Sequence, residues 1–325
     1  MLVYHPQGGF DCCIHANDHI SESLHQGAFF IFFNEQYHVK MNTCIIGLGL
    51  IGGSMAIDLK RRGFSRHIIG VDNNAGHREV ALQQGLIDEA ASLEEGVQKA
   101  GLVIIATPAD AIRQLLPTVL DMTGGTEKVV TDTGSTKGCL AAITANHPRR
   151  SQYVAGHPMA GTEHSGPLAA ISGLFDNKCV ILCDREQSDA NAFRLVEKMY
   201  NTLNMQIIHM QATPHDVSAA YVSHISHIAS FALSLCVQEK EQNEKRIFSL
   251  AGGGFTSTVR LAASAASMWT PILSENSTPI IEALDAYIDQ LSMFRNHIAK
   301  RDSTQINQMI ASANKIQEII NLTIN

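Results

Sequence analysis

From Asn42 onward the chain alternates short runs of β-branched residues with longer stretches of helical patterning. TCII (43–46), HIIGV (67–71), LVIIA (102–106), KVVTD (128–132), CVILC (179–183) and MQIIHM (205–210) read as strands. Continuous apolar runs of this length, bounded by Gly, Pro or Asp, are what a sheet covered on both faces produces. Between them lie helical stretches such as SMAIDLKRRG, AIRQLLPTVL and DANAFRLVEKMYNTL. This alternation predicts βαβ units and an α/β fold with a doubly wound, mostly parallel sheet. After His209 the strand pattern stops, and 213–239, 243–267, 278–300 and 303–323 read as helices. In the last, Ile306, Met309, Ile310, Ala313, Ile316, Ile319 and Ile320 recur at helical spacing, with Ser303 as the expected N-cap. The expected organisation is a sheet domain over 41–212 and an all-α domain over 213–325.

Composition agrees with two soluble domains: 325 residues, 45% hydrophobic, 17% charged, net charge -7. A mildly acidic balance argues against nucleic-acid binding, which relies on Lys and Arg neutralising phosphates. Nothing approaches the eighteen or so consecutive apolar residues of a membrane span, so no membrane partner is expected. Seven cysteines, an odd number, fit reduced thiols and a cytoplasmic location. Neither Cys12-Cys13 nor Cys179/Cys183 has a zinc-type spacing. Residues 1–40 contain no Lys or Arg before Lys40, so a secretory n-region is missing, and GAFFIFF (27–33) is too short for an h-region. Met41 stands just before a clean strand pattern. Residues 1–40 are expected to be a poorly structured extension, or the product of an upstream start codon, and receive no function.

GLGLIGGS (47–54) follows a strand and opens a helix. Gly47 permits a tight turn, Gly49 lets the backbone approach a pyrophosphate, and Gly52 allows close helix–strand packing. The phosphates would rest on the N–H groups of the next helix, beside Leu50 and Ile51. Asp72 ends the second strand, twenty residues beyond Gly52, where a carboxylate accepts from the ribose 2'-hydroxyl and repels a 2'-phosphate. These features predict a Rossmann-type sheet that binds NAD rather than NADP. The alternative for Asp72 is a turn-forming role, since Asn73 and Asn74 follow it. Thr107 and Pro108, after the LVIIA strand, are candidates for the nicotinamide side.

A nicotinamide enzyme needs a base for the hydroxyl it oxidises and donors for substrate carboxylates. Ser135, in TDTGSTKG, stands past a strand end on the ligand side of the sheet. GHPMAGTEHSG (156–166) is too rich in Gly and Pro for a helix and too polar for a core strand, and reads as a loop. His224 and His227 are three apart and share a helix face, with no third metal ligand at a familiar spacing. Arg260 stands in a largely uncharged helix, where a guanidinium calls for a carboxylate or an aromatic partner.

Together GLGLIGGS, DTGSTKG, GHPMAGTEHSG, the S-H-x-x-H stretch (223–227) and the GGGF...R...MW stretch resemble the prephenate/arogenate dehydrogenase family, in order and with similar spacing from about Asn42 to the C-terminus. The resemblance implies an NAD-dependent oxidative decarboxylation of prephenate in tyrosine biosynthesis. It implies His157 as the group that accepts the C4 hydroxyl proton and Ser135 as the residue that orients it. Arg260 would hold a substrate carboxylate, Ser223, His224 and His227 would line the pocket, and Thr162 and Glu163 would sit at its mouth. His164 falls at a variable position and is expected on the surface. The helical domain is expected to form a homodimer.

Departures touch the neighbours of Arg260. Many relatives carry Arg-Asp where this chain has Thr256-Ser257, a Pro where it has Ser226, and a more polar pair at Ala265-Ala266. Arogenate, which differs from prephenate only in the side-chain amino group, is the alternative substrate. A β-hydroxyacid dehydrogenase would place a lysine in the first helix of the second domain, and 213–239 holds none. A silent NAD-binding regulator would be expected to have lost His157, Ser135 or Arg260.

Overall fold

The apolar runs of the first half assemble into one sheet of eight strands, seen in a computed structural model that describes residues 41–162, 164–244 and 246–324. The expectations for residues 1–40, Cys12 and Cys13 among them, and for Glu163 fall outside the described residues. The strands are β1 (Met41–Ile46), β2 (Ser65–Val71), β3 (Glu89–Ala90), β4 (Leu102–Ile105), β5 (Val129–Asp132), β6 (Tyr153–Pro158), β7 (Cys179–Cys183) and β8 (Gln206–Met210). Their order is β3-β2-β1-β4-β5-β6-β7-β8, and β6 with β7 is the antiparallel pair in an otherwise parallel set. Helices α1 (Leu50–Arg61), α2 (Ala75–Gln83), α3 (Leu93–Lys99), α4 (Ala109–Met122), α5 (Gly138–Thr144) and α6 (Ala190–Thr202) connect them. Successive strand residues point to opposite faces, so Ile45 joins one buried cluster with Leu59 and Phe193 while Cys44 joins another with Val103 and Leu116. That two-sided burial is why the strands read as continuous apolar runs. The Rossmann-type expectation holds.

The second half is helical: α7 (Ala212–Ala219), α8 (Ile225–Glu244), α9 (Gly253–Val259), α10 (Ala266–Glu275), α11 (Ser277–Lys300) and α12 (Ser303–Ile324). A π-helical turn, Ala220–His224, joins α7 to α8.

Several expectations need correction. GHPMAGTEHSG does not begin as a loop: Gly156, His157 and Pro158 complete β6, and all are buried. A strand tolerates them because a Cβ at Gly156 would lie 2.9 Å from Asp132 O, so only glycine fits, and His157 finds a buried polar partner. The single helix expected over 243–267 is broken, with α9 starting at Gly253, a 3-10 turn at Arg260–Ala263 and a new helix at Ala266. Gly252 takes extended backbone at the N-cap of α9, so one helix does not run across it. The α12 cap is Asp302, whose Oδ1 accepts from the Gln305 N–H at 3.1 Å, and not Ser303. Among the described residues, one helical stretch, Ala212–Gln242, is long enough to cross a membrane and holds an 18-residue window of mean hydropathy 1.4.

Candidate active site

The turn after β1 is shaped by its glycines. Gly47 has φ +98°, and a Cβ there would meet Ala106 O at 2.6 Å. At Gly52 a Cβ would stand 2.0 Å from Gly47 O, so the helix packs against the turn at a distance that only glycine allows. Gly49 is different: nothing lies within 4 Å of its Cβ position. Its glycine answers no internal contact and leaves the backbone open to the cleft beside Leu50 and Ile51. No side chain caps the N-terminus of α1, so its first amides are available to an anion.

Asp72 closes this side. Its Oδ2 accepts from the Leu48 N–H at 2.9 Å, and its Oδ1 from the Asn74 N–H at 2.8 Å. It therefore makes the Asx turn and also borders the cleft. Thr107 and Pro108 lie across the cleft, where Thr107 Oγ1 is buried without a hydrogen-bond partner. An open glycine backbone, an uncapped helix start, a carboxylate at the end of β2 and an orphaned hydroxyl fit a dinucleotide.

The floor comes from β5, β6 and the loop that leads from β5 into α5. Asp132 and Lys137 form an ion pair with both side chains fully buried. Asp132 also accepts from the Tyr153 hydroxyl at 2.6 Å, Gly134 N–H at 2.8 Å and Gly156 N–H at 3.2 Å. Burial, with the adjacent Asp132 charge, raises the Tyr153 pKa and keeps the phenol a donor. This network clamps 132–138 into a tight loop that presents Ser135 to the cleft.

His157, 7% exposed at the end of β6, also faces the cleft. Its Nδ1 lies 2.8 Å from His215 Nε2, and His215 Nδ1 lies 2.8 Å from Asp216 Oδ1. Burial pushes the His157 pKa well below its ordinary value, and the nearby His215, Lys137 and His224 push the same way. For Asp216, burial acts to raise the pKa; the hydrogen bonds from His215 and the Lys137 and Gly138 amides outweigh it and hold the carboxyl below its usual range.

The π-turn widens the helix where Ser223 and His224 meet the cleft, a position where such turns often serve function. His224 is pushed down to about 4, chiefly by burial. His227 stacks on Trp269, with ring centroids 3.6 Å apart, and its Nδ1 donates to Ser223 O at 3.0 Å. Burial lowers its pKa as well. Arg260 stands exposed at the cleft rim, at the start of the 3-10 turn after α9. Thr162 and His164, both exposed, border the opening.

Apart from Gly52, which packs beneath the turn, the described candidates face one cleft of about 1760 Å³, well beyond what a single drug-sized ligand needs. The sequence reading missed His215, Asp216 and Asn276. His215 and Asp216 stand in an ordinary TPHD helix start, 58 residues from His157, and no local spacing marks them.

The comparisons with known proteins agree with this geometry. The family described as "Prephenate dehydrogenase, nucleotide-binding domain" matches residues 55–209, and "Prephenate dehydrogenase, dimerization domain" matches residues 211–319. Prephenate dehydrogenase of Bacillus subtilis is 32% identical over 270 residues, covering 82% of this chain and 73% of that protein. Cyclohexadienyl dehydrogenase of Zymomonas mobilis is 29% identical, covering 81% of this chain and 90% of that one. Among solved structures, prephenate dehydrogenase from Aquifex aeolicus in complex with hydroxyphenyl propionate and NAD+ superposes with a TM-score of 0.78 at 28% identity, covering 86% of this chain and 98% of that one. With a cleft that fits a dinucleotide and a buried histidine on its wall, and with both family domains matched in sequence, the chain belongs to the prephenate dehydrogenase family.

Proposed function

We propose that the protein catalyses the NAD-dependent oxidative decarboxylation of prephenate to 4-hydroxyphenylpyruvate, in tyrosine biosynthesis. One observation carries the reading: the cofactor-type turn with Asp72 and the set Ser135, His157, His224, His227 and Arg260 open onto the same cleft. NAD+ supplies the hydride acceptor. His157, kept neutral by burial, takes the C4 hydroxyl proton, and Ser135 orients that hydroxyl. Arg260 holds a substrate carboxylate at the rim, and Ser223, His224 and His227 line the remaining wall. As hydride leaves C4, the bond to the ring carboxylate breaks and its electrons complete the aromatic ring, with CO2 departing. Aromatisation supplies driving force, so the protein's part is to position, to deprotonate and to balance charge.

Residues 41–212 act as the cofactor domain and 213–325 as the dimerisation domain in this reading. Leu235, Ile288, Leu291, Ile298, Ile310 and Ile316 are exposed along α8, α11 and α12. A second copy covering them accounts for the apolarity of Ala212–Gln242 in a water-soluble protein, and the match to a dimerization domain supports this.

Arogenate fits the same cleft, and the cyclohexadienyl dehydrogenase relative keeps it in view. Purified protein mixed with NAD+ and either prephenate or arogenate should form reduced cofactor and release CO2. The faster substrate identifies the physiological one, and no turnover with either overturns the assignment.

A further inference from the structure

We infer that His215 and Asp216 are positioning residues that decide which nitrogen of His157 is free to take the substrate proton; the inference rests on the reading of His157 as the base. Asp216 Oδ1 is 2.7 Å from Lys137 N and its Oδ2 is 2.7 Å from Gly138 N, and backbone N–H groups can only donate. Asp216 is therefore ionised and purely an acceptor, so His215 Nδ1, 2.8 Å away, carries a proton toward it. In neutral His215 the Nε2 is then bare. His157 Nδ1, 2.8 Å from that nitrogen, must be the donor. Neutral His157 has one proton, already on Nδ1, so its Nε2 offers a lone pair. His157 borders the cleft and His215 does not, so this free nitrogen belongs to the cleft edge of the ring.

The same residue sets the opposite state on a second cleft histidine. Asp216 O accepts from Asn276 Nδ2 at 2.9 Å, and that amide's other proton points at His224 Nδ1, 3.1 Å away. His224 Nδ1 is then the acceptor and its proton sits on Nε2. One wall of the cleft thus presents a lone pair at His157 and a donor at His224, both fixed through Asp216. When His157 takes the proton from the substrate hydroxyl at Nε2, its Nδ1–H bond to His215 becomes charge-assisted and stronger. No proton needs to travel along the chain. A carboxylate that orients a base in this way is a known device; here a second imidazole lengthens it. Asp132 and Lys137, which also lie near, are already paired with each other.

Imidazole nitrogen NMR on the full, ligand-free protein tests the tautomers directly, with His157→Asn and His224→Asn spectra to assign the signals. His157 should show a protonated Nδ1 and a bare Nε2, and His224 the reverse; a His157 protonated on Nε2 overturns the inference. Kinetics give the second arm. His215→Met removes the acceptor and should lower kcat about 10²-fold with little change in the KM for prephenate. His215→Gln returns an oxygen near the lost nitrogen and should recover at least about tenfold of that rate. A folded Met variant with the parent's kcat, or a Gln variant as slow as the Met one, overturns the inference. If the Met variant does not fold, the NMR result decides. Full activity of His157→Asn would instead remove the base reading, while the tautomers would still judge the relay.

Discussion

Asp216 and Lys137 meet at 2.7 Å, carboxylate to backbone amide, across 79 residues of sequence. Together with the Gly138 contact, this bond fastens the first turns of the helical half to the loop that presents Ser135. Asp216→Ala would strand two amide donors in the interior. The expected loss is about 3 kcal/mol of stability, from hydrogen bonds to a charged acceptor and the desolvation left behind. A denaturant titration should show a lower midpoint with an unchanged slope.

The pH dependence follows from three cleft histidines. His157, His224 and His227 all have pKa values lowered in the folded protein, chiefly by burial. As the proposed base, His157 stays neutral below its ordinary pKa of about 6.5, so the acid limb of kcat/KM is expected below that pH. His215, Lys137 and His224 are the groups that reinforce burial there.

Stability runs the same way. Below about pH 6.5 the unfolded chain binds protons at these positions and the folded chain does not, so stability falls with pH. For His224 the decline should level off near pH 4, where the folded state also titrates. The buried His224 contributes a slope of up to about 1.4 kcal/mol per pH unit between its folded and unfolded pKa values. Denaturant midpoints between neutral pH and pH 4 measure it, and a flat profile would contradict the burial assigned here.

Two glycine substitutions should separate folding from cofactor binding. Gly52→Ala puts a methyl group 2.0 Å from Gly47 O and should destabilise the domain as well as weaken NAD binding. Gly49→Ala meets nothing within 4 Å in the protein, so its thermal midpoint should hold. Its methyl group would instead stand where the pyrophosphate approaches, and the NAD dissociation constant should rise by about tenfold or more. Calorimetry and a melting curve on each variant read both effects.

Asp72→Asn tests cofactor choice. Removing the carboxylate's charge should narrow the preference for NAD+ over NADP+, measured as the ratio of kcat/KM. The variant should also lose some stability, since the carboxylate accepts from the Leu48 and Asn74 amides.

Much of this protein was legible in the chain itself. Six strands, the helical second half, the glycine turn and Asp72 all follow from local patterns, because apolar periodicity and turn chemistry act over a few residues. The strand reading missed β3, whose two residues are too short to make a pattern, and β6, where a histidine and a glycine replace the apolar run. His157 is buried there because His215 satisfies it from another segment. The helix reading failed at 243–267, which the end of α8, the extended Gly252 and the 3-10 turn at Arg260–Ala263 divide. Recognising His157, Ser135 and Arg260 as candidates needed only their motifs. Deciding how His157 is protonated needed the tertiary structure. Its partner lies 58 residues away, and Asp216 is held by amides 78 and 79 residues distant. Hydrogen-bond direction is fixed by which groups face one another in the folded interior, and no spacing along the chain encodes that.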